Sequence, residues 1–152
     1  MHSQKETRDG REMLFGAISQ QQLYFDFPDW KAEDESYQPD SSIISQLRKI
    51  ATPFQVKIFL GTWCPDSRRE TPRFFKIIRQ AGLTEIGNVE MWAMDRKKKL
   101  PDNSAGPWNI ERVATFIFIR DNREIGRIVE TPDALTLEEN ILTILTSELS
   151  TE

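Results

Sequence analysis

The chain has 152 residues, 38% of them apolar, and a formal net charge of -4, which suits one domain with a buried core. Its acidic balance (pI near 5.2, mean hydropathy -0.52) argues against general affinity for nucleic acid or anionic membrane, and no apolar run approaches the roughly 20 residues that span a bilayer. One cysteine and one histidine (His2, in a terminus expected to fray) leave no intrachain disulfide, no cysteine-based metal site and no histidine-based catalysis to consider, so no metal is expected.

Residues 1–12 are charged and are expected to be loose. Met13 to Phe27 carries apolar residues without a clean period, so a short strand or a helical turn after Ser19 is expected there. Pro28 to Asp40 turns polar, with Pro28 and Pro39 as breakers, and reads as an irregular segment pinned by Trp30 and Tyr37. Residues 1–40 are thus expected to form an extension packed on a domain of residues 41–152.

A short helix is predicted over 41–50, with Ile43, Leu47 and Ile50 on one face, Asp40 or Ser41 as its cap and Pro53 beyond its end. Val56 to Leu60 reads as an apolar strand bounded by Pro53 and Gly61. A turn at Gly61-Thr62-Trp63-Cys64 then leads into a helix over 65–81, with Phe74, Ile77, Ile78 and Ala81 on one face, a kink at Pro72 and a stop at Gly82. Val89 to Met94 reads as a second strand. Residues 95–111 read as a polar loop with a helical turn near Trp108, and the run Lys97-Lys98-Lys99 as a solvated face. Two strands, Phe116 to Ile119 and Glu124 to Val129, flank an Asp121-Asn122 turn. The last helix is predicted over 136–149, where Thr136 and Glu139 have capping-box spacing. The order implies an α/β fold, a mixed sheet covered on both faces by helices.

The run Val56-Lys57-Ile58-Phe59-Leu60-Gly61-Thr62-Trp63-Cys64-Pro65-Asp66-Ser67, with Pro72 following, resembles the active-site region of thioredoxin-like proteins. Val113-Ala114-Thr115 and the hairpin after it, with Gly126 near its end, look like the second signature of that family. The resemblance covers roughly residues 41–149. It implies a thioredoxin-like fold in which Cys64 is the nucleophile and Trp63, Pro65, Asp66, Val113 and Ala114 form the surface that meets substrate.

A cysteine at a helix N-terminus faces orphan backbone N–H groups and the positive end of the helix dipole, both of which favour a thiolate. Ser67, one turn on, is positioned to donate to the sulfur. The Asp66 carboxylate opposes the thiolate, and Arg68 and Arg69 are placed to offset it. Ser67 also stands where the family usually has a resolving cysteine, so dithiol turnover is impossible within the chain. What remains is monothiol exchange resolved by an external thiol, with glutathione as a candidate co-substrate and no resident cofactor. Ile58 occupies the position where dithiol relatives often bury an acidic residue. Ala114 replaces the family's cis-proline, and because a cis bond before alanine costs about 2.5–4 kcal/mol, a trans Val113–Ala114 bond is expected.

The sequence therefore implies a monothiol thiol–disulfide oxidoreductase acting on protein or glutathione thiols and disulfides. Two alternatives stand beside it. One is a non-catalytic module that binds a polypeptide through the same surface, and the other is a redox sensor modified at Cys64. The chain is expected to be monomeric and, lacking an apolar leader at its start, cytoplasmic, or periplasmic if an export signal has been removed.

Overall fold

The computed structural model describes residues 5–8, 11–102, 104–133 and 136–147. Its elements in chain order are β1 (Lys5–Arg8), β2 (Arg11–Leu14), β3 (Gly16–Ile18), α1 (Gln20–Asp26), α2 (Pro28–Ser36), α3 (Ser41–Leu47), β4 (Phe54–Leu60), α4 (Pro65–Gln80), β5 (Gly87–Ala93), β6 (Thr115–Arg120), β7 (Arg123–Val129) and α5 (Leu137–Ser147), with a 3-10 turn at Gly106–Trp108. β3, β5, β4, β6 and β7 form one five-stranded sheet in that order, and β1 pairs with β2 apart from it. β4 and β5 are parallel, which requires a crossover, and α4 supplies it. β3 joins β5 antiparallel, and β6 and β7 complete the other edge antiparallel.

The period-2 alternation of β4 sorts its side chains between two cores. Phe54, Val56, Ile58 and Leu60 face the larger one, where α4 brings Phe74, Phe75, Ile77 and Ile78 and α5 brings Leu137, Ile141, Ile144 and Leu145. Phe74 sits in an aromatic cluster with Phe75, Phe116 and Phe118 at centroid distances of 5.4–6.3 Å. Phe59 faces the smaller core, which includes Cys64, Met94, Leu100, Val113, Ile117 and Ile119. There the segment from Met94 to Val113 covers the sheet, Trp92 stacks on Phe59 at 5.1 Å, and the Lys57 ammonium lies over the rings of Trp92 and Trp108.

The N-terminal segment is more regular than its sequence suggests. Residues expected to be loose form β1 and β2, and β3 becomes a strand of the main sheet. Ser19 caps α1 by accepting from Gln22 N–H, which bears out the helical turn expected after it. The stretch read as irregular is largely a helix, α2, because Pro28 occupies its first turn, where a missing N–H costs nothing. α2 buries only Trp30 and Asp34, one turn apart, so it lacks an apolar stripe that a periodicity search could find. Trp30 is fully buried, and the half-buried Tyr37 donates to Glu138 of α5 at 2.6 Å. A second tie runs through Asp34, which accepts from Tyr24 of α1 at 2.8 Å and from Arg79 of α4 at 2.6 Å.

The remaining elements fall close to their expected places. Asp40 caps α3, which ends at Leu47 and leaves Ile50 in the turn that follows. α4 runs through Pro72 and stops at Gly82, whose φ of +69° closes the helix while Leu83 N–H donates back to Ile78 O at 2.9 Å. Asp121 and Asn122 both have positive φ (55° and 62°), the geometry of a tight hairpin turn. Thr136 accepts from Glu139 N–H at 3.2 Å at the start of α5, as the capping spacing implies. His2 and Leu149 lie outside the described residues.

Candidate functional site

β4 ends at Leu60, and four residues later α4 begins. Cys64 is the N-cap residue of α4, with Pro65 and Asp66 in its first turn. Its backbone is held on both sides: Cys64 N–H donates to Gly61 O and Arg68 N–H donates to Cys64 O, each at 3.0 Å. The side chain is 8% exposed, and the thiol donates to Val113 O at 3.3 Å. That bond joins the cysteine turn to the Val113–Ala114 loop, so these two distant stretches of sequence meet.

The Val113–Ala114 peptide is cis, which corrects the expectation of a trans bond. Its own carbonyl, Val113 O, accepts from the thiol and the next one, Ala114 O, accepts from Glu130 N–H at 2.7 Å, while the Thr115 hydroxyl donates to Arg112 O. Both side chains are buried.

Ser67 is fully buried, but its hydroxyl oxygen accepts from Gly61 N–H at 3.1 Å. The hydroxyl thus ties the helix back to the end of β4, and the thiol takes its partner from the loop. Asp66 pairs with Arg69 at 2.8 Å, so the negative charge beside the cysteine is balanced within one turn. Arg69 is held more firmly charged than an ordinary guanidinium, chiefly by its hydrogen bond to Glu70 and then by Asp66. Arg68 is exposed. Pro65 is exposed at the mouth of the turn.

Trp63 is anchored by its indole N–H, which donates to Met94 O at 2.9 Å. Its ring lies so close to Gly61 that a Cβ there would sit 2.4 Å from Cε2. Arg96 and Lys98 stand over the same ring at 5.2 and 5.7 Å. Thr62 is buried and accepts from Leu14 N–H at 3.2 Å, which carries the N-terminal segment up to the turn. Beside Trp63 opens a cleft of about 300 Å³ whose lining includes Glu12, Asp26, Asp29, Trp30 and Arg68. Asp95 accepts from Lys97 N–H and Lys99 N–H, each at 3.0 Å, and so shapes the lysine loop.

The roles of Thr62, Met94 and Arg96 escape sequence reasoning because each depends on a contact made across the fold. The one legible signal was the glycine before Trp63. Among the described residues, no group of three or more His, Cys, Asp or Glu side chains is placed to hold a metal ion. Among the same residues, no helix is long and apolar enough to cross a membrane.

No family model matches the chain. The TPR repeat-containing thioredoxin TDX of Arabidopsis thaliana is 31% identical over 97 residues, 64% of this chain and 23% of that protein. A strand, a cysteine turn, a long helix, a parallel strand and a closing hairpin and helix now stand beside that likeness. The fold is thioredoxin-like. The chain spans under a quarter (23%) of the length of that curated relative. A solved Pseudomonas aeruginosa protein of unknown function matches over 86% of this chain and 87% of its own, with a TM-score of 0.63 and 14% identity. An HIV epitope-scaffold matches over 84% of this chain and 76% of its own, with a TM-score of 0.54 and 15% identity. At such identities these two structures speak for the fold alone.

Proposed function

We propose that this thioredoxin-like chain is a monothiol thiol–disulfide exchange protein whose nucleophile is Cys64. The observation that carries the reading is the cysteine's place: Cys64 is the N-cap residue of α4, its side chain makes no cap hydrogen bond, and its thiol turns to Val113 O of the facing loop at 3.3 Å. Ionisation gives up that bond, and the helix N-terminus is the feature of the turn that suits an attacking thiolate. The thiolate then attacks one sulfur of a disulfide R–S–S–R′. A Cys64–S–S–R bond forms, the old S–S bond breaks, and R′S⁻ leaves and takes a proton from water. An external thiol, glutathione or a protein thiol, attacks the R sulfur and returns Cys64 as thiolate. The external thiol R″SH ends in the disulfide R–S–S–R″, R′ leaves as the thiol R′SH, and the protein ends unchanged. Trp63, Pro65 and Asp66 supply the contact surface, Val113 and Ala114, whose side chains are buried, meet substrate only through their backbone, and Ser67 holds the turn in shape.

A second reading has its own support. Cys64 is only 8% exposed and is the sole cysteine of the chain, which suits a module that binds a polypeptide over the turn without chemistry. Alkylation of Cys64 in the folded chain separates the two. Exchange requires the folded thiol to react faster than the same residue in the unfolded chain and to form a mixed disulfide detectable by mass. A folded thiol slower than the unfolded one, with no mixed disulfide, refutes exchange and leaves the binding reading.

A further inference from the structure

β5 pairs with β4 along its whole length, Gly87–Ala93 against Phe54–Leu60. On its other side β3 covers only Met91–Ala93. Among the described residues no strand lies against Gly87–Glu90 there. Gly87 N–H is already taken by Leu83 O at 2.9 Å, which marks where the open edge ends. Next to this stretch lies a cleft of about 510 Å³. Its walls include Phe75 and Ile78 from α4 and Ile18 from β3, and Val89 and Met91 line it from β5.

We propose that this cleft is a peptide-binding site, in which an extended segment of a partner polypeptide adds as a strand to the edge of β5 at Gly87–Glu90. A strand edge presents alternating amides and carbonyls whose natural complement is another extended backbone. With Asn88 and Glu90 turned toward β4, the open edge presents Gly87 O and both backbone groups of Val89, enough to register a short segment. Side chains of the incoming strand alternate. Those on the α4 side enter the space lined by Phe75, Ile78 and Ile18, so they are apolar. The two charges at the rim are already satisfied, Arg79 by Asp34 at 2.6 Å and Glu90 by Lys57 at 2.7 Å, so no charged ligand group is called for.

The occupant is a single extended segment rather than the same edge of a second copy. The cleft of about 510 Å³ beside the edge, walled by Phe75, Ile78 and Ile18, has room for the side chains of one added strand, and sedimentation of the chain as a monomer with the edge free is the expected result. The site lies apart from Cys64 and stands or falls independently of the exchange reading.

The test is selection of a random-peptide phage library on the full chain, followed by synthesis of the enriched peptides. The expected peptides alternate apolar with other residues and slow amide exchange at Val89, whose N–H faces the open edge. Methylating the amide nitrogen of every second residue is expected to weaken them roughly tenfold or more, since it removes strand hydrogen bonds. Thr84→Trp, at an exposed residue lining the cleft, and Val89→Lys are expected to weaken them similarly, with folding checked by circular dichroism. Cys64→Ser is expected to bind as the parent does. Failure to enrich any peptide above a protein-free surface overturns the proposal, as does binding that ignores both N-methylation and the two cleft variants.

Discussion

Ser67→Ala tests how the cysteine turn is held. The hydroxyl is fully buried and accepts from the equally buried Gly61 N–H at 3.1 Å. An ordinary hydrogen bond contributes about 0.5–1.5 kcal/mol net, but orphaning a buried donor costs about 1–3 kcal/mol because the amide cannot return to water. The removed oxygen leaves a void too small for a water molecule, so nothing replaces the acceptor. A loss of about 2 kcal/mol is expected, which in a chain of this size lowers the melting temperature by roughly 4–8 °C. The assay is urea unfolding followed by tryptophan fluorescence, with an unchanged dependence on denaturant as the sign that only stability moved. Ser67→Cys, kept as a free thiol beside Cys64 by excess reductant, is a weaker acceptor and is expected to recover part of the loss. A Ser67→Ala chain within about 0.5 kcal/mol of the parent, but with an altered Cys64 alkylation rate, would show that the hydroxyl serves the sulfur and not Gly61.

Gly61→Ala brings a Cβ to 2.4 Å from the Trp63 ring and is expected to push the indole off Met94 O, at a cost of about 1–3 kcal/mol. A red shift in tryptophan emission checks it. Arg120→Met keeps the buried stem but removes donors to Pro53 O, Leu145 O and Thr52 O at 3.3, 3.1 and 3.2 Å, and is expected to cost about 2–3 kcal/mol in the same urea assay. Tyr24 and Tyr37 are both held protonated above the ordinary value of 10.0, first by burial and then by hydrogen bonds to Asp34 and Glu138. A raised folded value means their stabilisation is complete below pH 10 and is lost as pH rises beyond it, so unfolding midpoints are expected to fall there and to fall less in Tyr24→Phe and Tyr37→Phe.

The parts of the fold legible in the sequence were those with a clean local signal. Val56–Leu60 is a short apolar run between Pro53 and Gly61, α4 repeats its apolar residues at helical spacing, and Asp121-Asn122 is turn chemistry. The N-terminal segment lacked such signals. β1 and β2 are short and rich in charge, and α2 turns toward the body one aromatic ring and one carboxylate instead of an apolar stripe. Asp34 reads as a solvated residue until Tyr24 and Arg79 are brought to it from elsewhere in the chain. At the site, the cysteine at the helix start was readable from the strand, the turn and Pro65. The partner of its thiol was not, because Val113 O lies 49 positions away and a carbonyl carries no residue-specific signature. The same is true of Ser67, where sequence points to the nearest sulfur and the fold supplies an amide.

The measurement closest to the centre of the functional reading is turnover of a mixed glutathione disulfide with glutathione as reductant, comparing the parent chain with Cys64→Ser. Monothiol exchange requires catalysed turnover in the parent, none in Cys64→Ser, and a Cys64–glutathione adduct seen by mass spectrometry when glutathione is withheld. Turnover equal in the two chains, or a parent that neither turns over nor forms the adduct, would contradict it.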